Sequence, residues 1–253
     1  SLSGWIAVLA RPRVPIVLSL MGSDVYGDYI GYKKVALKSR YLTFLTLLIQ
    51  PFVSAIISKS RNIDDFVYRR NIAHVIPNGV VLENFQPLEK SDARKLLGLE
   101  QTKRYVLFLG NKNDKRKNYD LVAKAIDYLK DNNLELIAPF PISHQNVVKY
   151  FSAADVFASG AFMEGSPNVI KEAMACNCPI VATDVGDIRW IMAETEGCYI
   201  ASFNVENYAK KIDLALEFSR NNGRTNGRER IIKLRLDSIS IANKLVDIYH
   251  KLK

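Results

Sequence analysis

Short apolar runs closed by turn residues alternate, along this chain of 253 residues, with longer stretches whose apolar positions are spaced for one helix face. Positions 15–20 read as a buried strand ending at Gly22-Ser23-Asp24, and 53–57 as a second before Ser58-Lys59-Ser60. Runs of this length, rich in branched residues, fit a sheet covered on both faces. Between them, 32–49 begins basic and turns apolar, a composition that predicts a helix. Positions 72–76 make a third strand, closed by the turn Pro77-Asn78-Gly79. The alternation predicts a parallel α/β sheet, yet three strands fall short of a full Rossmann domain, which needs about six.

A polar linker follows, and the pattern restarts. Strands are expected at 105–109, 134–137, 155–158 and 180–183, with helices at 119–129, 147–153 and 208–218. A last amphipathic helix is expected from 228 to 252, with Ile231, Ile241 and Ile248 on its apolar stripe.

In this second part Glu164 and Glu172 bracket a helix start. Ser166 can cap the helix, and Pro167 suits its first position because its missing N–H would have had no helical partner. Glu172 then falls in the second turn, and eight residues at about 1.5 Å each set the carboxylates up to roughly 12 Å apart. Free amides and the positive end of the helix lie between the two acids and favour hydroxyl and phosphate oxygens, as on a phosphorylated sugar. Spacing alone favours a capping acid on a solvated face.

Composition narrows the choice. Three cysteines and three histidines supply neither a disulfide scaffold nor a zinc cluster, and the thiols read as buried and reduced in a cytosolic protein. No run reaches the 18 or so apolar residues of a membrane span, and the start lacks a charged segment followed by an apolar one. The net charge of +9 comes from scattered cations without aromatic interleaving, a zinc finger or a Gly-rich phosphate loop, so no nucleic-acid partner is expected. Lys33, Lys34, Lys38 and Arg40 precede an apolar run at 41–49, which reads either as a core helix with a charged start or as a peripheral contact with an anionic membrane.

The stretch from Phe151 to Ile191, with Ala154-Asp155-Val156-Phe157, then Glu-x7-Glu, then Cys178-Pro179-Ile180-Val181-Ala182-Thr183, resembles the donor-binding core of the retaining GT-B glycosyltransferases of family 4. Further landmarks follow that family's order over nearly the whole chain: Gly22-x-Asp24, the strand ending Ser58-Lys59-Ser60, Ile76-Pro77-Asn78-Gly79 and the closing helix. The resemblance implies a GT-B-type α/β fold, divided as 1–85 (tail of an acceptor-side Rossmann-like domain), 86–227 (complete donor-side domain) and 228–253 (a helix crossing back). It also implies that the chain begins within the last third of the first domain.

By the same resemblance Glu172 binds the ribose of a nucleotide diphosphate sugar, Glu164 lies by the transferred sugar as an electrostatic and positioning group, and Gly165, Ser166, Pro167 and Asn168 hold sugar hydroxyls. Lys117, in the loop beginning at Gly110, is implied to neutralise the diphosphate as the sugar bond breaks. Asn111 stands where the family has an arginine, leaving Arg116 or Lys112 as substitutes; Met21 replaces a family histidine, so histidine-dependent steps do not carry over, and His74 and His144 read as surface or packing residues. Gly22 and Asp24 are placed at the cleft. The implied activity is transfer of a hexose, with retention, to a glycan or lipid-linked acceptor in cell-surface polysaccharide synthesis, with no metal and no cofactor, in a cytoplasmic protein peripheral at the inner membrane face. The alternative is a non-catalytic nucleotide-sugar-binding fragment that needs a partner segment.

Overall fold

In the computed structural model, which describes residues 2–10 and 13–252, the apolar runs of the first third become the strands of one small lobe. Its elements are α1 (Leu2–Leu9), β1 (Val17–Leu20), α2 (Ser23–Tyr26), a hairpin of β2 (Tyr29–Gly31) and β3 (Lys34–Val35), α3 (Leu37–Leu48), β4 (Ala55–Ser58), α4 (Arg61–Asp64) and β5 (Ala73–Val75). β1, β4 and β5 pair in that order, all parallel, and β4 in the centre is buried at every position. The expected helix over 32–49 starts later than predicted, because 29–35 folds into the hairpin; the Lys33 backbone takes a left-handed turn at φ 55°. The Trp5 indole N–H donates to the Leu45 carbonyl at 3.0 Å and fastens α1 to α3.

The second lobe runs α5 (Lys90–Leu97), β6 (Arg104–Leu107), α6 (Tyr119–Leu129), β7 (Leu134–Ile137), α7 (His144–Ala153), β8 (Val156–Ser159), α8 (Asn168–Ala175), β9 (Ile180–Thr183), α9 (Ile188–Met192), β10 (Cys198–Ala201) and α10 (Val205–Asn222). Its five strands form a parallel sheet in the order β10-β9-β8-β6-β7. The connection from β6 moves outward to β7, whereas β8, β9 and β10 build away on the other side. The loops after β6 and β8 therefore diverge at a switch point, where open α/β sheets bind ligands.

Two expectations are corrected here. The polar linker contains α5, whose Lys90 and Arg94 both donate to the buried Asp155 carboxylate at 2.8 Å, while the Tyr105 amide donates to it at 2.7 Å. Its charged residues thus face the second lobe as well as water. The last helix is two: α11 (Gly227–Lys233) and α12 (Ser238–Lys251). Between them Arg235 is left-handed at φ 52°, the Val80 amide donates to the Leu236 carbonyl at 2.9 Å, the Ser238 amide donates to the Val80 carbonyl at 3.0 Å, and Asp237 caps α12 through the Ser240 amide. The chain abandons helix there to pair with the segment linking the lobes.

One hydrophobic core joins Ala55, Ile57 and Ile76 of the first lobe to Ile170, Ala173 and Met174 of α8 and to Ile231, Ile241 and Ile248 of α11 and α12. Cys176 and Cys178 are buried as free thiols within it, and burial pushes the Cys178 thiol up to about 11.

Candidate functional site

At the switch point the loops after β6 and β8 are laced together: the Phe162 amide donates to the Arg116 carbonyl at 2.9 Å, and the Asn118 side-chain amide to the Gly160 carbonyl at 3.0 Å. Gly110, at φ 144°, lets the loop turn beneath the Lys117 stem; a Cβ there would meet Lys117 Cγ at 3.4 Å. This scaffold delivers Lys117 Nζ to 2.7 Å from Glu164 Oε1 and leaves Arg116 3.8 Å from the other carboxylate oxygen. Glu164 is largely shielded, so its pairing with Lys117 has more weight than an exposed ion pair. Lys112 is held elsewhere, its ammonium 5.0 Å from the Tyr119 ring centre.

Glu164 leads through Gly165, Ser166 and Pro167 into α8, whose second turn carries Glu172. The helix start departs from expectation: Pro167 itself is the N-cap, Asn168 is the first helical residue, and the Ser166 hydroxyl caps nothing. Asn168 is exposed at the helix mouth, while Gly165, Ser166 and Pro167 are buried. Glu172 is mostly shielded and lies 3.1 Å from Nε2 of His144, whose ring packs edge-on against Phe85. His144, read from sequence as surface or packing, thus touches one of the two bracketing acids. Nothing in its local sequence marks the contact, which depends on where α7 begins.

The two lobes meet backbone to backbone. A Cβ on Gly22 would fall 3.6 Å from the Gly165 nitrogen, and one on Gly165 only 2.7 Å from the Met21 carbonyl. Gly22 is therefore at the junction, as is Asp24, whose carboxylate accepts from the amides of Met21 at 3.0 Å and Gly22 at 2.8 Å and fixes that loop. Gly186 completes the junction: the Asn62 side-chain amide donates to its carbonyl at 2.7 Å. Beside these contacts a cleft of about 340 Å³ is walled by Tyr26, Tyr29 and Phe66 from the first lobe and by Phe162, Glu164 and Gly186 from the second. It lies within the size range of small-molecule sites.

Residues 135–232 match the family glycosyl transferases group 1. The TuaC glycosyltransferase of Bacillus subtilis (strain 168), named for teichuronic acid biosynthesis, is 26% identical over 219 residues, covering 79% of this chain and 54% of that protein. The N-acetylgalactosamine-N,N'-diacetylbacillosaminyl-diphospho-undecaprenol 4-alpha-N-acetylgalactosaminyltransferase of Campylobacter jejuni is 27% identical over 182 residues, covering 61% of this chain and 48% of that one. The chain thus spans about half the length of the curated relatives it matches. The Anabaena HepE structure in complex with UDP-glucose superposes with a TM-score of 0.72 at 17% identity, over 99% of this chain and 75% of that one. The α/β architecture is that of the GT-B glycosyltransferases.

Beneath the Glu164–Gly165 turn lies a charged group that sequence reasoning did not single out. Lys171 is fully buried, and its ammonium donates to the carbonyls of Asn78 at 3.0 Å and Ser166 at 3.4 Å, so it ties the second lobe to the first. Desolvation pulls its pKa down to about 8, with the Asp187 charge opposing. Asp187 is buried with both carboxylate oxygens outside hydrogen-bonding geometry, and burial pushes it up to about 6 against the pull of the Ser166 hydroxyl and the Lys171 charge. Lys59, also buried, is lowered by desolvation.

Gly186 tests how tightly this junction is built. At φ 60° it is left-handed, and a Cβ would fall 2.4 Å from the Gly165 carbonyl oxygen and 2.7 Å from that of Glu164. Gly186→Ala is expected to cost about 1–3 kcal/mol of stability, as overpacking does, read as a lowered urea midpoint. An unchanged midpoint would mean that the turn yields freely.

Proposed function

We propose that this chain is a retaining glycosyltransferase domain that binds a nucleotide diphosphate sugar at the switch point and passes its hexose to a glycan or lipid-linked acceptor in cell-surface polysaccharide synthesis. The observation that carries the reading is the ion pair of Lys117 with Glu164 at the mouth of the helix that presents Glu172 one turn further on. A cation at 2.7 Å from a shielded carboxylate is a charge held ready for a more acidic partner. The family match, the teichuronic acid name of one relative and the UDP-glucose complex of a structural neighbour all favour this reading.

In the proposed complex Glu172 accepts from the ribose hydroxyls, Lys117 and Arg116 face the diphosphate, and the amides after Glu164 hold the sugar. Glu164, released by Lys117, positions the sugar and stabilises positive charge at its reacting carbon. The departing diphosphate takes the acceptor proton, with cations and helix amides carrying its charge. Because the chain spans about half the length of its curated relatives, transfer by this chain is part of the proposal, and donor binding is the step tested first.

Calorimetry against uridine and guanosine diphosphates should show micromolar to millimolar binding of one of them. Glu172→Ala should weaken it by about 1.5–3 kcal/mol, the worth of a hydrogen bond to a charged group. Equal affinity in the variant would remove Glu172 from the ribose site, and no binding of either nucleotide would sink the donor assignment.

A further inference from the structure

Glu172 is the acid that the transferase reading gives to the ribose, yet one of its oxygens already has a partner. Oε1 lies 3.1 Å from Nε2 of His144, the first residue of α7 and 28 positions back along the chain. A carboxylate only accepts, so the proton in this contact sits on Nε2. Among the described residues no hydrogen bond reaches Oε2, and no second cation forms an ion pair with Glu172. Its neighbour Lys171 is turned away, toward the carbonyls of Asn78 and Ser166. Glu172 thus has one tethered oxygen and one free one.

The imidazole is itself held. Its ring lies edge-on to that of the buried Phe85, 5.2 Å between centroids. The Phe85 carbonyl accepts from the Arg228 guanidinium at 2.9 Å, and the same nitrogen donates to the Ala175 carbonyl at 3.0 Å, at the end of α8. The circuit from Glu172 through His144, Phe85 and Arg228 therefore closes on the helix that carries Glu172. With its side chain 63% exposed, His144 gains little folding stability from the contact, so what the contact supplies is the placement of the carboxylate.

We propose that His144 is a positioning residue for the nucleotide: by holding Oε1 of Glu172 it aims Oε2 at the ribose hydroxyls. A free glutamate gives up rotamer freedom when it binds, whereas one already fixed by a second group does not. The inference rests on the transferase reading and its ribose assignment, and adds the group that makes the acid selective for a nucleotide bearing those hydroxyls. His144 acts through Glu172 alone.

The test is calorimetry with UDP or GDP, whichever binds more tightly, beside the dideoxy analogue that lacks both ribose hydroxyls. His144→Ala should weaken the nucleotide about tenfold, the worth of one positioned hydrogen bond, and leave the dideoxy analogue unchanged, which also shows that the variant folds. His144→Gln, whose amide N–H can stand near the place of Nε2, should recover most of the affinity. Added to Glu172→Ala, His144→Ala should cost nothing further, because two groups acting through one contact are not additive. Wild-type affinity in His144→Ala, equal weakening of both ligands, no recovery in His144→Gln, or additive losses in the double variant would each overturn the role of His144. Should Glu172→Ala abolish the preference for the hydroxyl-bearing nucleotide while His144→Ala retains it, the ribose reading stands and this inference alone falls. Should Glu172→Ala leave that preference intact, or neither nucleotide bind, both fall.

Discussion

Replacing Lys171 with methionine is expected to destabilise the protein by about 1–3 kcal/mol, the cost of leaving a buried hydrogen-bonding group without its partner. The variant keeps the length of the side chain but withdraws the donor from the Asn78 and Ser166 carbonyls and leaves Asp187 buried with less opposing charge. Lys171→Met/Asp187→Asn should recover part of the loss, since the uncompensated acid is then gone. Urea unfolding of the single and double variants decides the matter. A single variant no worse than an exposed substitution would show that the buried ammonium is dispensable.

The same group fixes a pH signature. Asp187 has a folded pKa raised to about 6, so its favourable contribution is complete below its unfolded value near 4 and is lost as pH rises through about 6. Lys171 has a folded pKa lowered to about 8, so its contribution is complete above roughly 10.5 and is lost as pH falls through about 8. Between these limits both groups are charged and both burial costs are felt. Unfolding midpoints across pH 4 to 6 should therefore fall in the wild type by more than in Asp187→Asn; parallel curves would remove Asp187 as the source.

The second large effect is expected at Lys117. Under the proposed function its ammonium leaves Glu164 for the diphosphate as charge grows on the leaving group. Lys117→Ala should then lower donor turnover by about 10²–10³-fold, as the loss of one preorganised electrostatic contact does elsewhere. It should also weaken UDP binding far more than binding of uridine. Were the two ligands to weaken alike, the lysine would serve only to hold Glu164 in place.

Features with a local cause were legible in the sequence. The buried strand at 180–183, the edge strand at 134–137 and the helix at 119–129 appear where the apolar pattern puts them, because periodicity and the turn residues beside it act within a few positions. The resemblance assigns Lys117 and Glu164 to one donor site without pairing them, and no pattern along the chain links a loop after one strand to a loop after another 47 positions away. What was missed is long-range. α5 hides in a polar stretch because its lysine and arginine are matched to Asp155 more than 60 positions on. The break before α12 exists because Leu236 and Ser238 find hydrogen bonds on Val80. Ser166 has the chemistry of a cap, but the chain enters α8 through Pro167 and turns the hydroxyl toward Asp187.

The pairing of Val80 with 236–238 has a mechanical consequence. The polypeptide passes between the lobes twice, once on the way out and once on the return, and the two passages lie side by side, hydrogen-bonded, with Gly79 admitted so close to Ser238 that a Cβ would sit 2.7 Å from its Cα. A single tether lets a domain swivel, but a doubled one resists twisting. With the core that the lobes share, it holds Gly22 against Gly165 in one register.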